Sequence, residues 1–281
     1  MTQGQAHRAS AWADSLYLSI GCVSPPVDLH AIARYRGVLH VGTRLMVPRG
    51  ALVPVAGGFE VYLRDLDTRD LNIEEPEPRN LWSTRERFTF AHEIAHTFFY
   101  KTSGAVPAPT RAISNPLELE NICNKAAERL LVPTNLFRRQ YRHAFGASDR
   151  VNISFLQAMK ALFRTSYEVI VNRLRAVEPT NGILLVRNGK AAAAYFGSSV
   201  VCAIPKPTLY DPVRDWFTEL QPSMLDIHGN QSWQIAVGRR QLGLQRVSLG
   251  ASGDFLLQLD DLGVEDQLAP CKLYRDDPRV A

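Results

Sequence analysis

Apolar residues recur at helical spacing along the middle of the chain and give way to short β-rich runs in its last third. Between Leu81 and Tyr100, the residues Phe88, Phe90, Ala91, Ile94, Ala95, Phe98 and Phe99 follow the period of a half-buried helix, with no Gly or Pro to interrupt it. Ser83, with Glu86 three positions later, has the form of a capping box and sets the expected start. A second helix is predicted from Pro116 to Pro133. There Leu119, Ile122, Cys123, Ala126, Ala127, Leu130 and Leu131 make one apolar stripe, bounded by a proline at each end. From Ser154 to Glu178 the pattern reads as two helices with a break at Arg164 to Ser166, the outline of a helix-turn-helix. Past Pro179, Asn181-Gly182 opens a series of β-rich runs: GILLVRNGK, AAAAYFG, SVVCAIP, SWQIAVG and DFLLQLDDL. Gly, Pro, Asn and Asp divide them, which predicts a second domain of α+β type.

The first of these helices carries chemistry. His92, Glu93 and His96 form an H-E-x-x-H string, and residues i and i+4 share one helix face, so both imidazoles can reach one tetrahedral ion. Glu93 then stands beside the metal and serves as general base toward the attacking water. The competing reading is a core helix whose two histidines are hydrogen-bonded inside. A catalytic zinc site takes three protein ligands, so a third is needed. A further His six residues after His96 is excluded, because Thr102 stands there. The second helix offers Glu118, Glu120 and Glu128. Glu120 adjoins the apolar stripe with Asn124 one turn on along the same face, so it reads as a group turned inward and held by a neighbour. Glu118 and Glu128 read as solvated.

The segments RFTFAHEIAHTFFY and ENICNKAAERLLVP are similar to the paired signature of the ImmA/IrrE family of zinc metallopeptidases, RFTxAHExxH followed by E-x-x-x-N-x-x-A-x-x-L-L-x-P. Glu120, Asn124, Ala127, Leu130, Leu131 and Pro133 match the second block. The resemblance implies that Glu120 is the third metal ligand and that the domain is gluzincin-like, a small sheet with the H-E-x-x-H helix. It also implies a short helix and small sheet before the motif. VDLHAIARYRG reads as that helix, and GVLHVGTRLMV and GGFEVYLRD as strands, with Gly57-Gly58 as turn signal. A strand such as Phe59 to Arg64 would border the cleft and pair with an extended substrate, unless it is an ordinary core strand. Longer members of the family imply a GAF-like sensor module at the C-terminal end. The residues there show no small-molecule signature, and Trp216, Phe217 and Trp233 read as core. The expected organisation is α+β throughout: a metallopeptidase domain over 1–135, a helix-turn-helix-like segment over 136–178 and an α+β domain over 179–281.

Composition narrows the remaining choices. A chain of 281 residues with 46% hydrophobic content can bury a substantial core. No apolar run approaches the roughly 20 residues that span a bilayer. The first residues lack the charged-then-apolar order of a signal peptide, so a cytoplasmic protein without membrane contact is expected. Cysteines at 22, 123, 202 and 271 form no C-x-x-C pair, which argues against a disulfide framework or a cysteine zinc ribbon, and Cys123 reads as a small buried residue. The net charge of +4 is too small to indicate nucleic acid. Its placement is more suggestive, because Arg138, Arg139, Arg142, Arg150, Lys160, Arg164, Arg173 and Arg175 crowd the helical segment. Tyr167, Glu168, Asn172 and Arg173 fall where a recognition helix would read bases. The alternative is a helical pair that completes the peptidase fold.

The function expected is that of a metal-dependent endopeptidase. His92, His96 and Glu120 hold Zn2+, with Mn2+ or Fe2+ as substitutes that share such ligands, Glu93 is the catalytic base, Asn124 supports the site, and no organic cofactor is implied. Tyr100, Arg111 and His143 are candidates for stabilising the tetrahedral intermediate. Kinship implies a helix-turn-helix transcriptional repressor as substrate, cut to relieve repression in a stress or mobile-element response. The other class of reading is a non-catalytic regulator that binds DNA or protein and keeps a structural metal site. Intact His92, Glu93, His96 and Glu120 speak against it, since without catalysis Glu93 has no evident reason to be polar on that face.

Overall fold

The computed structural model describes residues 3–65, 69–78, 82–110, 115–146, 150–187, 190–197, 231–237, 240–249 and 254–264. The chain divides into two compact units, one of residues 1–139 with 160–166 and the other of residues 140–159 with 167–281. Arg111, the SVVCAIP run, Trp216, Phe217, Cys202 and Cys271 lie outside the described residues.

The first unit begins with helices α1 (Gln3–Ser19) and α2 (Leu29–Tyr35). Asp28 caps α2 by accepting the amide of Ala31, and Gly37, at a φ of +77°, turns the chain out of it. Four strands follow, β1 (Val38–Arg44), β2 (Gly50–Val55), β3 (Gly58–Arg64) and β4 (Arg69–Leu71), in the order β2-β3-β1-β4. β1 runs parallel to β3, and the other pairs are antiparallel. β1 and β3 are the two strands expected from sequence. β2 was hidden by Pro54, which reads against a strand. The backbone shows why it is tolerated: Arg49 O accepts from Arg64 N, so Gly50, Leu52 and Pro54 turn their ladder groups to the free edge, where a missing N–H breaks no pairing.

That topology corrects the expected substrate strand. Phe59 to Arg64 lies in β3, hydrogen-bonded to β2 on one side and β1 on the other, with Phe59, Val61 and Leu63 buried. Its ladder is filled, so it is a core strand and cannot accept an added one. The edge strand is β2, half-buried along its length, and it lies against the motif helix.

That helix, α3 (Thr84–His96), starts as predicted. The hydroxyl of Ser83 accepts from the amide of Glu86 while the carboxylate of Glu86 accepts from the amide of Ser83. A 3-10 turn over Thr97–Phe99 and a small β5–β6 ribbon (Tyr100–Lys101 with Ala108–Pro109) follow it. Phe90, Ala91, Ile94 and Ala95 are fully buried. So is Arg87, whose five N–H groups are all used. Its Nε and Nη2 meet the two carboxylate oxygens of Glu77, Nη1 reaches the carbonyls of Phe163 and Arg164, and Nη2 also reaches Val27 O. Helix α4 (Pro116–Leu131), capped by Asn115 and stopped before Pro133, packs its stripe of Ile122, Cys123, Ala126, Ala127, Leu130 and Leu131 against α3 and α1. α5 (Thr134–Phe145) follows, and Asp14 of α1 accepts from the amide and hydroxyl of Thr134 and pairs with Arg129.

In the second unit a five-stranded antiparallel sheet has the order β8-β7-β11-β10-β9. Its strands are β7 (Gly182–Arg187), β8 (Lys190–Phe196), β9 (Gln231–Val237), β10 (Arg240–Ser248) and β11 (Phe255–Val264). The helical segment holds α6 (Ile153–Phe163) and α7 (Tyr167–Arg173), separated by Arg164 at a φ of +51°, close to the predicted break. α7 packs on β7 and β8 and buries Val169, Ile170, Val171 and Arg173, while Glu168 pairs with Arg187 at 3.7 Å. Arg173 is therefore turned into the protein and is not presented to a DNA groove. The whole is mixed α+β, and among the described residues no helix is long and apolar enough to cross a membrane.

Candidate metal centre

Because α3 keeps regular helical geometry through the motif, His92 and His96 stack one turn apart, their ring centroids 4.7 Å apart. Their Nε2 atoms face each other at 3.0 Å. α4 crosses beside them and brings Glu120 to the same point, with Oε2 at 3.0 Å from His92 Nε2 and Oε1 at 3.5 Å from His96 Nε2. These three are the group of His, Cys, Asp or Glu side chains, among the described residues, whose ligand atoms converge closely enough to hold a metal. Separations of 3.0 to 3.5 Å between them match the ~3.3 Å edge of a tetrahedron with metal–ligand bonds of ~2.0–2.1 Å. The donor set therefore fits a metal of the zinc type.

Asn124, one turn past Glu120, places Oδ1 2.9 Å from His92 Nδ1. As an amide oxygen it can only accept, so Nδ1 carries the proton and Nε2 presents its lone pair to the site. Burial, reinforced by His92 and opposed by Glu120, pushes His96 down to about 4, which keeps it in the neutral, ligating form. Glu120 is half exposed and lies on the wall of the cleft instead of turning into the core. Glu118 and Glu128, expected to be solvated, are partly buried.

Glu93 is buried beside these groups, on the side of α3 that meets β2. Burial and then the charge of Glu120 push its carboxyl up to about 7, against the amide of Leu52, which donates to it from the edge of β2. A dication at the donor atoms acts the other way and favours the ionised base. The cleft has a volume of about 400 Å³, and Pro48, Arg49 and Gly50 form its lip opposite Phe88, Thr89, His92, Glu93, His96, Glu120 and Asn124. Neither Tyr100 nor His143 is among the lining residues: Tyr100 packs edge-on against Phe59, and His143 is exposed on α5 in the second unit. The cation that does line the cleft, Arg49, was missed. Its sequence signal was weak, since it precedes a strand concealed by Pro54.

The model for the IrrE N-terminal-like domain of the M78 peptidases matches residues 78–175, which hold the motif helix, α4 and the helical segment. Residues 78–175 form an IrrE N-terminal-like domain, which supports membership of the ImmA/IrrE family. The match covers both blocks of the paired signature and ends at the close of the helical segment, before β7. It identifies the domain with a family of metallopeptidases. No curated protein matches the sequence. Of solved structures, a Mycobacterium tuberculosis transcriptional regulator is similar at 13% identity and a TM-score of 0.44, over 90% of this chain and 75% of that one. A likeness at that score carries no argument here.

Proposed function

We propose that the protein is a metal-dependent endopeptidase. Carrying that reading is the convergence of His92, His96 and Glu120 with Glu93 buried beside them. His92, His96 and Glu120 would hold Zn2+, or Mn2+ or Fe2+ in its place. The ion, when bound, supplies Lewis-acid activation of water and of the scissile carbonyl. Glu93, oriented by the Leu52 amide, takes a proton from the attacking water and returns it to the leaving amine. Asn124 keeps His92 in the tautomer that can ligate. An extended peptide would lie along the free edge of β2, the strand that touches α3.

The substrate in this reading is a protein, and family kinship points to a helix-turn-helix repressor whose cleavage relieves repression. The working organisation is a peptidase domain to residue 135, a helical segment to 178 and a C-terminal α+β domain beyond it that acts as a sensor. Direct DNA binding is the less favoured reading, because Arg173, one of the four side chains expected to read bases, is buried.

Purified protein loaded with zinc or manganese is expected to cut the repressor encoded beside its gene at a single site, and Glu93→Gln, with the same metal content, is expected to leave it intact. Failure of the loaded wild type to produce any fragment that Glu93→Gln lacks would sink the proposal.

A further inference from the structure

Arg49 lines the cleft and yet belongs to no part of the metal centre. It stands on the segment between β1 and β2, and the end of β3 holds that segment at three points. Asp65 N donates to Arg44 O at 3.2 Å, Arg64 Nη1 to Val47 O at 3.1 Å, and Arg64 N to Arg49 O at 2.9 Å. The next residue, Gly50, sits so close to α3 that a β-carbon there would come within 2.5 Å of Glu93 Oε1. The backbone carrying Arg49 is thus fixed both to the sheet and to the helix that bears the base. Its side chain is exposed, and it forms no hydrogen bond or ion pair with the described residues.

Charge gives this cation a purpose. The other charged groups of the cleft are Glu93 and Glu120, and two ionised carboxylates offset one dication. Arg49 then leaves the loaded cleft with a net positive charge. A guanidinium on a fixed backbone is well suited to a carboxylate, which it can hold through two parallel hydrogen bonds.

We infer that Arg49 is a specificity-determining residue that binds a carboxylate of the peptide substrate. The carboxylate comes either from an Asp or Glu side chain near the scissile bond or from the peptide's own C-terminus. This inference rests on the peptidase reading above and adds a substrate class to it.

The test has two arms, both on the full chain loaded with zinc. In the first, a proteome-derived peptide library is digested by wild type, Arg49→Gln and Arg49→Glu, once with free and once with amidated C-termini. Wild type is expected to favour Asp or Glu at one position near the cut by about threefold to fivefold, the scale of a partly exposed ion pair. Arg49→Gln loses that preference and Arg49→Glu turns it toward Lys and Arg. Cuts confined to the ends of free peptides and absent from amidated ones would assign the carboxylate to the terminus. Identical profiles for all three proteins would overturn the inference. The second arm needs no turnover: Glu93→Gln, with and without Arg49→Gln, is titrated with the amidated peptides Ala-Ala-Asp-Ala-Ala and Ala-Ala-Asn-Ala-Ala and with Ala-Ala-Asn-Ala-Ala bearing a free C-terminus. Tighter binding of the Asp peptide or of the free-terminus peptide than of the amidated Asn peptide, lost with Arg49→Gln and weakened by salt, is expected. No cutting in the first arm together with this preference would overturn the peptidase reading and leave the carboxylate site standing. No cutting and no preference would overturn both.

Discussion

A β-carbon on Gly50 would lie 2.5 Å from Oε1 of Glu93 and 2.8 Å from Cγ2 of Thr89. At this point the sheet edge touches Glu93, the proposed base, and only a residue without a side chain leaves the carboxylate where it is. Gly50 has no left-handed φ, so its requirement is for space and not for backbone freedom. Gly50→Ala is therefore expected to displace Glu93 without touching the metal ligands. Peptidase activity should fall by about a hundredfold, the scale of an ångström of misplacement in a catalytic group. Metal content should be unchanged. Full activity in Gly50→Ala would show that this contact does not position the base.

In the proposed metal centre Asn124 would act on the ion only through its 2.9 Å contact with His92. Asn124→Ala should weaken metal affinity by about tenfold to a hundredfold, as loss of a group that orients a ligating imidazole does. Asn124→Asp keeps an acceptor at Nδ1 and should retain most of the affinity. Competition against a chelating dye measures both, and equal affinity in Asn124→Ala and wild type would separate Asn124 from the site.

Metal loading should stabilise the fold by mass action, because the three ligands come together only when α3 and α4 are packed. Zinc at a hundred times its dissociation constant adds about 2.7 kcal/mol. Calorimetry should show a rise in Tm on loading that chelation reverses and that His92→Ala and Glu120→Gln both lack. A metal-dependent rise in Glu120→Gln equal to that of wild type would remove Glu120 from the ligand set.

The Arg87–Glu77 pair is almost wholly buried, at 1% and 2% side-chain exposure, and removing Arg87 leaves the buried Glu77 with the longer contact to Arg164, at 3.4 Å, in place of its two-point partner. Arg87→Leu is expected to destabilise the protein by about 3–5 kcal/mol in urea denaturation. Arg87→Leu combined with Glu77→Leu should recover part of that loss. An Arg87→Leu protein as stable as wild type would mean that Arg164 compensates Glu77 once the Arg87 guanidinium is gone.

Most of the motif region was legible from the amino-acid order alone, because its signals are local. The capping box at Ser83 and Glu86, the 3.6-residue apolar period of α3 and α4, and the i, i+4 placement of His92 and His96 all depend on neighbours within a turn or two. The break at Arg164 was local in the same way.

What the tertiary structure decided is everything that joins distant segments. Sequence could place Glu120 and Asn124 on one helix face, but only the packing of α4 on α3 sets Oε2 of Glu120 3.0 Å from His92 and shows it on a cleft wall and not in the core. Sequence could recognise Phe59 to Arg64 as a strand, but strand order is a property of partners, and pairing on both sides made β3 interior and left β2 as the free edge. β2 itself was concealed because Pro54 reads against a strand until the ladder shows that its nitrogen faces outward. With β2 went Gly50 and Arg49, whose roles at the base and on the lip come from contacts with α3 some forty residues away in the chain. Periodicity reports which face of an element is buried, whereas what that face meets is fixed only when the elements assemble.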